Sequence, residues 1–333
     1  MTTTRPMRRR PGRMAMILTA LCAAAVPFAA HAQLTCGGTI GPGGTFTMTS
    51  DITSCPGTAL TVVGPVVLDM GLRNLSCAGL STGLRIEGKG ASVLGGQIFG
   101  CTVAVDVGGA GGHKVQRMRA VANALAFGVS SDGNLLAHNA ARSHSAAFQV
   151  NGNRNKLVGN LSVSTSGDAF QTFGNGNAFT QNAVQQAARG FASEVGTVGN
   201  VYKENTATVT GVGFAIDGAK HALKSNTATR SAQVGFRLQA GAGGHSLKGN
   251  VAVGLGGDPG FGSGFDVATG GNTLKQNRAH EHQNGIVLRV PGNVVTGNVA
   301  VGNVTDGADV DAACTGNTWK KNVFHAVFPG CVR

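Results

Sequence analysis

An internal repeat constrains this chain more than any other feature. Asparagines recur at Asn139, Asn160, Asn182, Asn205, Asn226, Asn250, Asn277, Asn298 and Asn322, with spacings of 21 to 27 residues. Five residues before each stands a second polar marker: Asn134, Asn155, Asn177, Asn200, His221, His245, Asn272, Asn293 and Asn317. Two residues after that marker comes an apolar one: Leu136, Leu157, Phe179, Tyr202, Leu223, Leu247, Leu274, Val295 and Trp319. The unit is N-x-Φ-x-x-N-x-(A/V/S) in most copies, and a period of this length marks a stacked repeat architecture.

A second apolar column follows each Asn by nine or ten residues in most repeats: Phe148, Phe170, Phe191, Phe214, Phe236 and Ile286. Phe265 lies fifteen after Asn250, because the segment from Gly256 to Phe261 is inserted there; Phe127 and Met118 extend the pattern backwards. Around this column apolar and polar residues alternate, as in Phe236-Arg237-Leu238, which is the period of a strand with one buried face. Three short strands joined by turns fit one repeat, each coil stacking on the last at about 4.8 Å. About eleven or twelve such coils make a rod on the order of 55 Å long. Composition agrees: 53 glycines, 5% aromatic and 13% charged residues suit strands and tight turns rather than helices. The 42% hydrophobic content excludes a disordered chain, and glycine without a Gly-X-Y period excludes collagen.

A buried asparagine needs partners. In a coil stack each amide can donate to the one above and accept from the one below, or bond the turn backbone. With these ladders the unit resembles the repeat of right-handed parallel β-helix proteins, the pectate-lyase-like superfamily that includes NosD-type periplasmic proteins. The resemblance covers roughly Val66 to Phe324 and implies an all-β, right-handed parallel β-helix solenoid. Residues 33–65 are expected to form an N-terminal cap, 66–324 the coils and 325–333 a C-terminal cap, since solenoid ends expose strand edges.

Residues 1–32 are set apart as an export signal: Arg5, Arg8, Arg9, Arg10 and Arg13 precede an apolar stretch, and Ala30-His31-Ala32 fits a cleavage site. The protein is therefore expected to be secreted or periplasmic, with no membrane span after cleavage. Without those five arginines, 22 basic residues face 15 acidic ones, a balance of +7 instead of +12. No Lys/Arg run remains, so nucleic acid is not an expected partner; the mild positive balance leaves room for attraction to an acidic polysaccharide or to an anionic cell surface. Six cysteines follow position 32. Disulfides are expected, with Cys36–Cys55, Cys77–Cys101 and Cys314–Cys331 the simplest of 15 possible pairings. Cys77 and Cys101 are 24 apart, one coil, which suits neighbouring rungs. Metal ligation is the alternative for these thiols, and no C-x-x-C pair supports it.

Chemistry is expected on the outward positions beside the phenylalanine column. One residue past it stand Gln149, Gln171, Arg237 and Asp266, the file ending at Asp309; three past it stand Phe173, Glu194, Asp217, Gln239 and Arg289, ending at Asp311. Glu194 and Asp217 should be neighbours, with Arg237 on the next rung. Paired carboxylates could separate their proton affinities for general acid work or share a calcium ion, and an arginine could hold a uronate or act as a base. Glu194, Asp217 and Arg237 are thus the candidate catalytic residues; Gln149, Gln171, Phe173, Gln239, Asp266 and Arg289 are the candidate ligand contacts. No cofactor is expected, apart from calcium if the protein is a lyase. His280-Glu281-His282 raises the question of a metal, which a lone H-x-H does not answer, and no metal ligand is assigned. His221 and His245 are expected to continue the asparagine stack.

Absences weigh against a standard enzyme of the superfamily. Of its hydrolase elements only Arg154-Asn155-Lys156 matches R-x-K, at a ladder position, and the D-P-H-E element of the epimerases is missing. The leading expectation is a non-catalytic protein that binds an extended glycan. A polysaccharide lyase or glycoside hydrolase is the alternative, and a NosD-like metal-accessory role the third.

Overall fold

A computed structural model describes residues 30–32, 34–255, 262–311 and 313–332. Every element within them is a strand, and all strand pairs are parallel. The chain winds as a parallel β-helix of about 13 turns. One coil shows the plan: Leu135–Ala137 belongs to sheet I, Ala140–His144 to sheet II and Ala146–Val150 to sheet III. Each pairs with its counterpart one repeat later, Leu136 with Leu157, Ala141 with Ser162 and Phe148 with Phe170. In the coils at Ala183–Ser193 and Thr206–Ile216, sheets II and III share one continuous strand.

The repeat unit has a backbone cause. The residue before each ladder Asn has a left-handed conformation: His138 (φ 57), Gln181 (φ 55), Glu204 (φ 56), Ser225 (φ 54), Gln276 (φ 56) and Lys321 (φ 53), with glycine in the other coils. Side chains other than glycine resist that conformation, so the bend between sheets I and II needs something to hold it. The asparagine does so. Asn205 Oδ1 accepts the backbone N–H of Asn182 at 2.9 Å, and its Nδ2 donates to Phe179 O at 2.9 Å and to Asn226 Oδ1 at 3.0 Å. The marker column closes the turn from sheet III to sheet I in the same way, the N–H of Asn155 donating to Asn177 Oδ1 at 2.8 Å. His113, five residues before Met118, belongs to this column too, receiving the N–H of Ala91 and donating its own N–H to Asn134 Oδ1.

Seven phenylalanines from Phe127 to Phe265 stack face to face along sheet III, with ring centroids 4.6 to 4.9 Å apart. Phe179 and Tyr202 stack likewise in sheet I at 4.9 Å and meet the first column edge-on. These rings and the leucines of sheet I fill the bore, and parallel-stacked rings at rung spacing extend the sheet's own repeat into the core.

The three expected disulfides are present: Cys36–Cys55, Cys77–Cys101 and Cys314–Cys331, with Cα separations of 5.3, 5.0 and 6.1 Å. Coiling begins earlier than the repeat suggests, since Gly38–Ile40, Thr45–Met48 and Ile52–Cys55 already pair with the coil that follows. Of the expected export signal, residues 1–29 lie outside the described residues, and Ala30–Ala32 pairs with Phe46–Met48. The insertion around Asp258 and Phe261 lies outside them as well.

Candidate functional site

The outward face of sheet III carries the polar residues picked out by the repeat. Strand register places Gln149, Gln171, Ala192, Ala215, Arg237 and Asp266 in one file on consecutive rungs. Phe173, Glu194, Asp217, Gln239 and Arg289 follow the strand ends beside it. The last rung departs from the expected file. Val287 pairs with Ala308 and Leu288 with Asp309, so Asp309 points inward. It is buried and accepts from Asn317 Nδ2 and from Trp319 Nε1 at 2.9 Å. Asp311 likewise turns to its own loop, accepting from Ala313 N and from Thr315 N and Oγ1.

Two clusters form on this face. In the first, Arg189 Nε and Nη2 donate to the two oxygens of Asp168, at 2.7 and 2.5 Å, and Nη2 also reaches Glu194 Oε1 at 2.7 Å. Gln171 Nε2 donates to the same Glu194 oxygen at 2.8 Å. The hydrogen bonds that Arg189 donates to Asp168 raise its proton affinity above the ordinary value. Asp168 and Arg189 were missed by the sequence reading; their signal is opposite charge two residues before the phenylalanine column on adjacent rungs. Asp217 follows Glu194 by one rung, but its Oδ1 accepts Ala240 N at 3.0 Å. The two carboxylates therefore hold different partners.

The second cluster surrounds an open cavity of about 310 Å³ lined by Arg237, Gln239, Asp266 and Arg289 with Val234, Leu238 and Ala268. Arg289 clamps Asp266 with two hydrogen bonds, at 2.5 and 2.9 Å. Arg237, directly opposite Asp266 in the register, forms no ion pair among the described residues, and its Nε is buried without a partner. An arginine without an ion pair beside a satisfied acid–base pair is suited to take a carboxylate from outside. Gln149 adds a polar end to the face, and Phe173, 46% exposed, an aromatic one.

Three interior histidines are tied into the coil backbone, while His282 has both ring nitrogens buried without a partner. His113, His144 and His221 each use both ring nitrogens on the backbone: Nδ1 accepts an N–H from the preceding rung and Nε2 faces a carbonyl. His221 and His245 stack at 5.2 Å. Burial lowers the proton affinity of all five interior histidines, and His245 and His282 are pushed down to about 4. In His280-Glu281-His282 the left-handed Glu281 (φ 61) reverses the alternation. His280 is consequently exposed while His282 is buried, and the two do not converge.

The sequence model of the NosD family, described as a periplasmic copper-binding protein, matches residues 127–327. This chain belongs to the NosD family. The family is periplasmic, which makes this NosD-family chain a periplasmic or exported protein; no helix among the described residues is long and apolar enough to cross a membrane. Similar solved structures include a PL6 alginate lyase complexed with a trisaccharide and a mannuronic acid specific family 6 lyase from human gut microbiota. Each is 12% identical, with a TM-score of 0.49 over 88% of this chain and 81% of that one. The catalytic unit of a GH87 α-1,3-glucanase from Streptomyces thermodiastaticus strain HF3-3 is 14% identical, with a TM-score of 0.33 over 85% of this chain and 62% of that one. No curated protein matches the sequence.

The donors that copper takes, imidazole, thiolate and thioether, do not assemble in this NosD-family chain. Six cysteines are in disulfides, and Met48, Met70 and Met118 are buried in the core. No three of His, Cys, Asp and Glu are grouped as metal ligands among the described residues. The described residues do not fit a copper centre.

Proposed function

We propose that this NosD-family protein binds an extended acidic glycan, without cleaving it, along the outer face of sheet III. The observation that carries the proposal is Arg237, which lines the cavity without an ion pair among the described residues while Arg289 and Asp266 satisfy each other. A uronate carboxylate set against Arg237 meets two parallel donors, and Gln239 offers an amide to the neighbouring hydroxyls. Gln171 and Gln149 continue the polar file toward the N-terminal end, so a chain lying along the solenoid axis finds side chains on several rungs. Calcium has no part in this reading.

A lyase or hydrolase would draw on Glu194, Asp217 and Arg237. Their present partners favour binding over chemistry: Glu194 is held by Arg189 and Gln171, and Asp217 by the backbone of Ala240. Calorimetric titration with uronate oligosaccharides tests the proposal. Arg237→Ala is expected to weaken binding by about tenfold or more, the range of one charged hydrogen-bonded contact. Equal affinity in wild type and variant would remove Arg237 from the site.

A further inference from the structure

Sheet I carries a single file of lysines on its outer face. Lys203, Lys224, Lys248 and Lys275 each follow an inward ring or leucine, and the register sets them directly opposite one another on four consecutive rungs. At a strand spacing of about 4.8 Å the file is roughly 14 Å long. Like charges directly opposite destabilise a sheet, and little here offsets that repulsion. Lys203 pairs with Glu204 at 3.1 Å; Lys224, Lys248 and Lys275 are exposed and form no ion pair among the described residues. Glu204 also attracts Lys224 from the neighbouring rung; beside Lys248 and Lys275 the strands and bends supply no acid, with Ser246 and Thr273 on one side and Gly249 and Gln276 on the other.

We infer that this file is a binding track for a linear polyanion running parallel to the solenoid axis, specifically a polysaccharide with one carboxylate per sugar. A chain that repeats its charge can engage successive lysines and relieve their mutual repulsion, which one small anion cannot. The flanking Ser246 and Thr273 offer hydroxyls to sugar hydroxyls. Among the flanking residues there is no aromatic side chain, so the stacking platform of single-stranded nucleic acid binders is missing. A membrane surface asks for a broad basic face with apolar anchors, and this track is one residue wide. The track lies on a different sheet from the Arg237 cavity and stands whether or not that cavity binds.

The test is retention of polygalacturonate by the full chain, with neutral dextran, oligothymidylate and phosphatidylglycerol vesicles as comparisons. Wild type is expected to bind polygalacturonate and not dextran, with affinity falling steeply between ~0.05 and ~0.3 M NaCl. Combining Lys224→Gln, Lys248→Gln and Lys275→Gln is expected to weaken binding roughly tenfold or more while leaving the thermal midpoint unchanged or higher, since repulsion is removed. The loss should persist in an Arg237→Gln background, which isolates the track from the cavity. If the triple variant folds poorly, Lys248→Gln alone should show the same loss in smaller measure. Undiminished binding by the folded lysine variants, no binding by wild type, or tighter retention of oligothymidylate or vesicles than of polygalacturonate would each overturn the inference.

Discussion

The backbone N–H of Asn200 donates to Nδ1 of His221 at 2.9 Å, the bond that Asn177 makes to Oδ1 of Asn200 one rung earlier at 2.8 Å. Imidazole thus replaces a carboxamide in the same ladder, but only as the neutral tautomer with its proton on Nε2, which then donates to Asp217 O at 2.8 Å. Protonating Nδ1 would set two N–H groups against each other.

Stability is therefore expected to depend on pH in a defined window. An unfolded histidine takes up its proton near 6.5, whereas burial, with repulsion from His221 second, pushes His245 down to about 4. Between those values the unfolded chain binds protons that the folded chain does not, so this stabilisation is complete above about pH 6.5 and declines as pH falls toward 4. The urea midpoint should drop from pH 7.5 to pH 4.5 by more than in His245→Asn, which keeps an acceptor without a titrating group. Equal drops would dismiss His245 as a source of the acid sensitivity.

Asn205→Leu should be far more damaging than its change in volume. It removes the acceptor for Asn182 N–H and the side-chain donor to Phe179 O in a buried bend, and with them the amide's bond to Asn226. One stranded backbone N–H and the lost amide bonds together cost roughly 2–5 kcal/mol. A shift of under 1 kcal/mol in urea unfolding, with m unchanged, would show that the ladder does not hold the bend.

In the aromatic stack, Phe191 lies 4.9 Å from Phe170 and 4.8 Å from Phe214. Phe191→Ala is expected to cost about 3–5 kcal/mol through lost burial and a residual cavity. Leu72→Ala, at a side chain 97% exposed, should stay within about 0.5 kcal/mol. Thermal unfolding of the pair separates the two cases, and comparable losses would contradict the assignment of the core.

Arg189→Ala leaves Asp168 and Glu194 without their shared cation on a partly covered face. A loss of about 1–3 kcal/mol is expected, and a double-mutant cycle with Asp168→Ala should show coupling that is little reduced by salt. Strictly additive losses would demote the pair to a surface contact.

The solenoid, its disulfides and its asparagine ladders were legible because one chemistry recurs at one period. What escaped has specific causes. The first coils lack the asparagine marker, so Gly38–Ile40 and its neighbours read as a cap. Gly307 stands where earlier coils carry a phenylalanine, and without that ring the register of Asp309 and Asp311 slipped by one. The reversal at Glu281 is a backbone feature that an H-x-H spacing does not reveal. Lys203, Lys224, Lys248 and Lys275 are 21, 24 and 27 residues apart; a search for basic runs passes over them, and only the coil makes them a run.

The function proposed for this protein is to hold an acidic glycan intact. The most direct test incubates the protein with uronate-containing and neutral polysaccharides, with and without calcium, then measures bound carbohydrate and weighs the recovered chains by mass spectrometry. Acidic chains are expected to be bound and recovered at their original length. Unsaturated or new saturated ends would contradict that function, and would return Glu194, Asp217 and Arg237 to the centre of a lyase or hydrolase.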